Sequence, residues 1–294
     1  MNILIVGVGF IGEPLAETLT GAGHHVIGLT HSESSFTRLS ETSSADIRQA
    51  DVSQGDSLKQ ALHADEANAI DWVIHCASSG RGGPDKYRSV YRDGLANLQR
   101  LCPQARLLYT SSTSVYGQVD GSVVDESSAT EPDRETGRIL RETEEIALAS
   151  GGIVARLAGI YGPGRSFTLL KYLNHTAVIE GDGGRYLNQA HGQDIVSALV
   201  HLMERDEAGV FNIVDSTSQT QLEIYQWLAD HFQGELPPTA PPDYERKRGW
   251  THKRVSNAKL QATGWSPTYP SFQESVLHDP ALVPSIRKIM NADV

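Results

Sequence analysis

Asn2-Ile3-Leu4-Ile5-Val6-Gly7-Val8-Gly9-Phe10-Ile11-Gly12 is the stretch that decides how this chain folds. An apolar, largely β-branched run turns straight into three glycines spaced G-x-G-x-x-G. Behind them Leu15, Ala16, Leu19 and Ala22 recur at helical spacing until Gly21 and Gly23 break the pattern. His25 to Leu29 is a second apolar run. Strand, glycine turn, helix and strand in that order make a βαβ unit. There the first glycine forms a tight turn, the second lets the backbone approach a pyrophosphate, and the third lets helix and strand lie close. Unpaired N–H groups at the helix start attract the phosphates. Gly7, Gly9, Phe10, Ile11 and Gly12 are therefore expected to hold a dinucleotide.

The end of the second strand bears on which dinucleotide. An acidic residue there would bind an adenosine 2′-hydroxyl and repel a 2′-phosphate. The chain reads Leu29-Thr30-His31-Ser32 instead, with Arg38 on the following helix. Two hydroxyls, a histidine and a guanidinium suit a phosphate. The reading favours NADP, with NAD as the alternative, since Glu33 lies nearby and Thr30 and Ser32 also read as ordinary loop polars.

Outward from this unit, strands alternate with helical stretches to about residue 158. Ala45 to Ala50, Ile70 to Cys76, Arg106 to Tyr109 and Gly152 to Leu157 read as strands. Tyr87 to Leu101 and Arg138 to Ala149 read as amphipathic helices. Such alternation implies an α/β fold, a doubly wound parallel sheet with helices on both faces. From 159 to 294 the pattern loosens among proline and glycine turns. That stretch is expected to form a smaller α+β substrate lobe, some of whose segments return to the 1–158 domain.

Composition narrows the partners. A chain of 294 residues with 39% hydrophobic content can bury a full core. A formal charge of −11, with no basic stretch longer than Glu245 to Arg248, argues against nucleic acid. No apolar run reaches membrane-spanning length, and the amino terminus enters a strand directly, so a cytoplasmic chain is expected. Cys76 and Cys102 are the only cysteines and have no metal-like spacing, so no metal is expected.

Ligands of open α/β sheets bind outside the carboxyl ends of the strands. Besides the glycine turn, the segments due there are Asp51-Val52, Cys76-Ala77-Ser78 with Ser79, and Thr110-Ser111-Ser112-Thr113-Ser114-Val115-Tyr116-Gly117. Asp51, Val52, Cys76, Ala77 and Ser78 are candidate cofactor contacts. Ser79 and Thr113 are candidate substrate contacts. The hydroxyl run places a donor where a substrate oxygen beside a nicotinamide would need one.

The glycine turn, Ser111-Ser112-x-x-Val115-Tyr116-Gly117, Arg156-Leu-Ala-Gly-Ile-Tyr-Gly-Pro-Gly164, and Gly181-Asp-Gly-Gly followed by His191 and Asp194 together resemble the extended short-chain dehydrogenase/reductases. This is the NAD-dependent epimerase/dehydratase family, and the resemblance spans nearly the whole chain. It implies a Rossmann domain, a nicotinamide cofactor, a sugar-nucleotide-like substrate and a catalytic serine at Ser112. It also implies Tyr-x-x-x-Lys about twenty residues on, with the tyrosine as proton donor or acceptor and the lysine on the nicotinamide ribose. Here Thr136 stands in the tyrosine's place and Leu140 in the lysine's, and no shift of register restores the pair. There is no tyrosine between Gly117 and Ile160 and no lysine between Tyr87 and Leu170. An aliphatic hydroxyl is far too weak an acid to replace a tuned phenol. A small residue followed by Gly-Arg at this position resembles one atypical bacterial branch, the YeeZ-like proteins.

Candidates to carry the chemistry are then Ser112, Tyr116 and Thr136. For an anionic substrate they are Arg138, Arg165, Arg185, Asn188 and His191, while Asp194 reads as the N-cap of a helix at Ile195 to Glu204. His75 reads as a structural histidine. Three functions stay open: an oxidoreductase or epimerase-like enzyme without the usual relay, a nucleotide-binding sensor without catalysis, and a non-redox lyase or isomerase. The resemblance also implies a possible homodimer through helices 87 to 101 and 138 to 149.

Overall fold

The structure, a computed structural model, describes residues 1–80, 82–244 and 250–292, so the basic stretch Glu245 to Arg248 lies outside the described residues. Strands β1 (Asn2–Val6), β2 (His25–Thr30), β3 (Asp46–Gln49), β4 (Trp72–His75) and β5 (Arg106–Ser112) join Ile153–Leu157 and Gly209–Ile213 in one seven-stranded sheet. From one edge the order is Gly209–Ile213, Ile153–Leu157, β5, β4, β1, β2, β3. β1 pairs in parallel with β2 and β4, β2 with β3, and β4 with β5. Ile3, Leu4 and Ile5 are fully buried, as expected when helices cover both faces of a parallel sheet. The chain turns outward from β1 in both directions, so the carboxyl ends of β1 and β4 flank a switch point, where doubly wound sheets bind their ligands.

Two compact units emerge. The first comprises 1–115, 130–156 and 199–211; the second comprises 116–129, 157–198 and 212–294. The second unit therefore takes in 116–129, while 199–211 returns to the first. Within the second unit, Tyr161, Leu169, Ile179, Leu228, Phe272 and Leu282 form a core of their own, beside short strand pairs such as Gly159–Tyr161 with Gln189–His191 and Val123–Val124 with Arg254–Val255.

Two helices differ from their reading in sequence. The helix expected over 87–101 is three pieces: an α-turn at Pro84–Tyr87, a π-helical turn at Arg88–Asp93, and an α-helix at Gly94–Leu101. The Val90 carbonyl inside the π turn takes a hydrogen bond from buried His75 Nε2 at 3.0 Å. A Cβ at Gly94 would meet both Val52 methyls at 3.1 and 3.2 Å, so Val52 would have to give by a few tenths of an ångström. The helix expected from Arg138 starts at Glu135, which puts Thr136 in its first turn. No helix among the described residues is long and apolar enough to cross a membrane.

Candidate functional site

The glycine turn joins β1 to the first helix, and the protein's own packing gives a cause for two of its three glycines. Gly7 has φ +95°, and a Cβ there would sit 2.4 Å from both the Ala77 Cα and N. A Cβ on Gly12 would meet the Gly7 carbonyl oxygen at 2.2 Å. Gly9 is different: nothing lies within 4 Å of its Cβ position. Protein packing does not explain Gly9. Helix α1 (Gly12–Gly21) has no side-chain cap at Ile11, so no capping side chain takes its first N–H groups, and the one acid of its first turn, Glu13, is held by Arg38. The chain thus fits a pyrophosphate at the turn, with Phe10 and Ile11 beside it.

Strand order places the ends of β2 and β3 on one side of this turn and those of β4 and β5 on the other. On the first side Thr30 is buried, His31 is exposed, and Ser32 caps helix α2 (Glu33–Thr42) by accepting from the Ser35 N–H. Arg38 corrects the sequence reading. Both its terminal nitrogens bond Glu13, at 2.8 and 2.7 Å, so it is neutralised unless Glu13 releases it. Burial would raise the Asp51 carboxyl, but the hydroxyl and N–H of Ser53, at 2.7 and 2.9 Å, together with His31 and Lys86, hold it below the usual range. Val52 is buried, and its carbonyl accepts from Asn97.

On the second side, Cys76 and Ala77 are partly buried and Ser78 is exposed in the loop leaving β4. Burial pushes the Cys76 thiol up to about 12, so it is no thiolate. Ser111 and Ser112 end β5 and point to opposite faces, as successive strand residues must. Ser111 donates to Glu144 at 2.7 Å, and Glu144 is clamped by Arg156 at 2.9 and 2.7 Å with both side chains buried. Ser112 is half-buried, and its oxygen accepts from the Ser114 N–H at 3.2 Å. Thr113, in the following 3₁₀ turn, is buried.

Helix Glu135–Ala149 carries the changed motif. Thr136 is half-buried and Leu140 is buried. Gly137 permits a close approach, since a Cβ there would meet Pro132 Cβ at 2.5 Å. Arg138 is exposed, bonds the Asp133 carbonyl, and lines a surface depression with Arg141 and with four acids, Glu131, Asp133, Glu142 and Glu145. Those acids disfavour an anion, so Arg138 leaves the set of substrate candidates.

In the second unit, several candidates prove structural. Tyr116 is 1% exposed and its hydroxyl donates to Asn212 Oδ1 at 2.9 Å, which removes it as a replacement acid. Asn188 clamps a strand, donating to the Lys253 carbonyl and accepting from the Val255 N–H. His191 is buried between Asp279, 3.0 Å from Nε2, and the Gln193 N–H on Nδ1. Burial lowers its pKa against the opposing pull of Asp279. Asp194 is no N-cap. The helix starts at Gly192, and the Asp194 carboxylate accepts the N–H groups of Thr268 and Tyr269. Arg185 lies 3.3 Å from Glu180 and is partly neutralised. Arg165 is exposed at the end of the Gly162 turn.

Lys253 was missed in the sequence, where a lysine in a loop reads as solvated. It is 2% exposed and donates to the Tyr116 carbonyl at 2.5 Å, and burial lowers its ammonium to about 8. In the unfolded chain the group titrates near ~10.4. Below pH about 8 the folded state bears the whole cost of the buried charge. As pH rises towards ~10.4 the unfolded state binds more protons, and stability should rise by up to about 3 kcal/mol from this group. Urea unfolding at about pH 7.5 and about pH 9.5 should show that rise in the wild type and lose it in Lys253→Met. Parallel changes in both proteins would show that the ammonium is solvated.

The sequence profile of the NAD dependent epimerase/dehydratase family matches residues 3–214, and the chain belongs to that family. Protein YeeZ of Escherichia coli K12 is 31% identical over 245 residues, covering 81% of this chain and 85% of YeeZ. UDP-glucose 4-epimerase of Thermotoga maritima, solved with UDP-glucose, superposes with a TM-score of 0.76 at 20% identity, covering 100% of both chains. UDP-glucuronic acid 4-epimerase of Bacillus cereus, solved with UDP-glucuronic acid and NAD, gives 0.75 at 21% identity, covering 98% of this chain and 100% of that one.

Proposed function

We propose that this protein binds NADP in preference to NAD, and transfers a hydride to or from a small anionic or sugar-nucleotide-like substrate without the tyrosine–lysine relay. The observation that carries the reading is Gly9, a glycine facing open space at the uncapped start of α1. For NADP the support is the exposed His31 and the hydroxyls of Ser32, Ser34 and Ser35 at the start of α2, with no acid at positions 30 to 32. Arg38 adds to it only after leaving Glu13. For the substrate class, the fold relatives solved with UDP-sugars and the exposed Arg165 favour an anion.

When bound, the nicotinamide supplies or accepts the hydride. Ser112 accepts a backbone N–H and so keeps its own proton to donate to a substrate oxygen. Thr136 cannot take up a substrate proton near neutral pH, so that proton goes to water or to the substrate itself. Lacking a positioned acid/base costs roughly 10²–10⁴ in rate, and slow turnover is the expectation. In a screen of nucleotide-linked keto sugars followed by nicotinamide absorbance, Ser112→Ala should abolish the turnover found while changing NADPH affinity less than about twofold. Equal turnover in the variant would remove Ser112 from the reaction.

A homodimer belongs to the same reading. The contact would form on the face of Arg88–Asp93 and Glu135–Ala149, where Arg88 and Arg92 pair with Glu142 of their own chain.

A further inference from the structure

The π turn places a phenol on the β4 and β5 side of the glycine turn, against the helix that carries Thr136 and Leu140. Such turns widen a helix by one residue and recur at functional sites. Here Tyr91 lies within the turn, and its hydroxyl accepts the Ser79 N–H at 3.2 Å. That bond uses an oxygen lone pair, and the phenol's own proton has no acceptor among the described residues. Around Tyr91, buried polar atoms lack partners: His75 Nδ1 and Ser79 Oγ, on residues 0% and 8% exposed. The Tyr91 ring centre is 6.2 Å from that of His75 and 6.3 Å from that of Tyr109. An orphaned buried polar group is costly, so two in one place call for a ligand's polar groups or water.

Position identifies the ligand. Ser79 ends the loop whose Ala77 touches Gly7, so this cluster adjoins the pyrophosphate turn within the same unit. It lies on the β4 and β5 side of the turn, opposite the adenosine side at β2 and β3. The turn also lies against helix Glu135–Ala149, tied by Arg88 to Glu135 at 3.4 Å and to Glu142 at 3.6 Å, on either side of Thr136 and Leu140. Burial holds His75 down to about 4, so its ring stays neutral and its Nε2–H pins the Val90 carbonyl that precedes Tyr91.

We propose that Tyr91 donates its hydroxyl proton, as a hydrogen bond, to the nicotinamide-ribose half of the bound dinucleotide, taking over an anchoring contact that Leu140 cannot make. The proposal rests on the dinucleotide reading above. Its test compares NADPH with 2′-phospho-ADP, which lacks both the nicotinamide and its ribose, by calorimetry. Tyr91→Phe should weaken NADPH about fivefold, the loss of one neutral hydrogen bond, and leave the fragment unchanged. Tyr109→Phe should change neither. Unchanged NADPH affinity in Tyr91→Phe, or an equal loss for the fragment, overturns the proposal while leaving the dinucleotide reading intact. Wild-type protein that binds neither ligand overturns both. If Tyr91→Phe does not fold, wild-type protein carrying 3-fluorotyrosine at position 91 decides the matter. Its fluorine resonance must shift with NADPH and not with the fragment, and no shift with NADPH rejects the contact.

Discussion

Gly9→Val should abolish dinucleotide binding, lowering affinity by roughly a hundredfold or more, while leaving the unfolding midpoint in urea unchanged. Its φ is not in the left-handed region and nothing lies within 4 Å of the added Cβ, so the fold has no reason to resist a side chain there. The valine would occupy the space that a pyrophosphate needs against the turn. Gly7→Ala should do the opposite. It forces φ +95° on an alanine and drives Cβ to 2.4 Å from the Ala77 backbone, so the protein should lose several kcal/mol or fail to fold. Paired calorimetry and urea unfolding separate the two. If Gly9→Val binds NADPH like the wild type, the open space is not the cofactor's.

Glu144→Ala should destabilise the protein by about 3–5 kcal/mol, because it strands the buried Arg156 guanidinium without its carboxylate. Ser111 loses its acceptor in the same step. The double variant Glu144→Met with Arg156→Met should recover most of that loss, since replacing a buried pair by apolar groups of similar volume is often neutral. Urea unfolding of the two single variants and the double variant gives the coupling. A Glu144→Ala cost below about 1 kcal/mol would mean water reaches the guanidinium. The pair also bears on function, since Ser111 anchored on one face of β5 fixes the strand end that presents Ser112 on the other.

What could be read from the sequence was local. The β1 run, the three glycines and the α1 spacing lie within about twenty residues, and their geometry follows from backbone sterics alone. The missing relay was equally legible, because no residue of either type occurs in the interval. The candidate site was less so, since polar side chains are claimed by partners far along the chain. Arg38 looks available until Glu13, 25 positions away, takes both its nitrogens. Asn188, His191 and Tyr116 find theirs 65, 88 and 96 positions away. Each of those bonds is a tertiary choice that spacing does not encode. The π turn was hidden for a related reason. Tyr87, Val90, Tyr91 and Gly94 keep three- and four-residue intervals, so the widening shows only where His75 takes the Val90 carbonyl.

The central claim is that the glycine turn holds a nicotinamide dinucleotide and that the β2 end prefers a 2′-phosphate. Its most direct test is titration of the purified, nucleotide-stripped protein with NADPH and, in parallel, NADH, following nicotinamide fluorescence. Saturable binding of both, with NADPH roughly tenfold tighter, is the expected result. No saturation with either nucleotide up to about 1 mM, a binding free energy weaker than about 4 kcal/mol, would contradict it and leave Gly9 without a ligand.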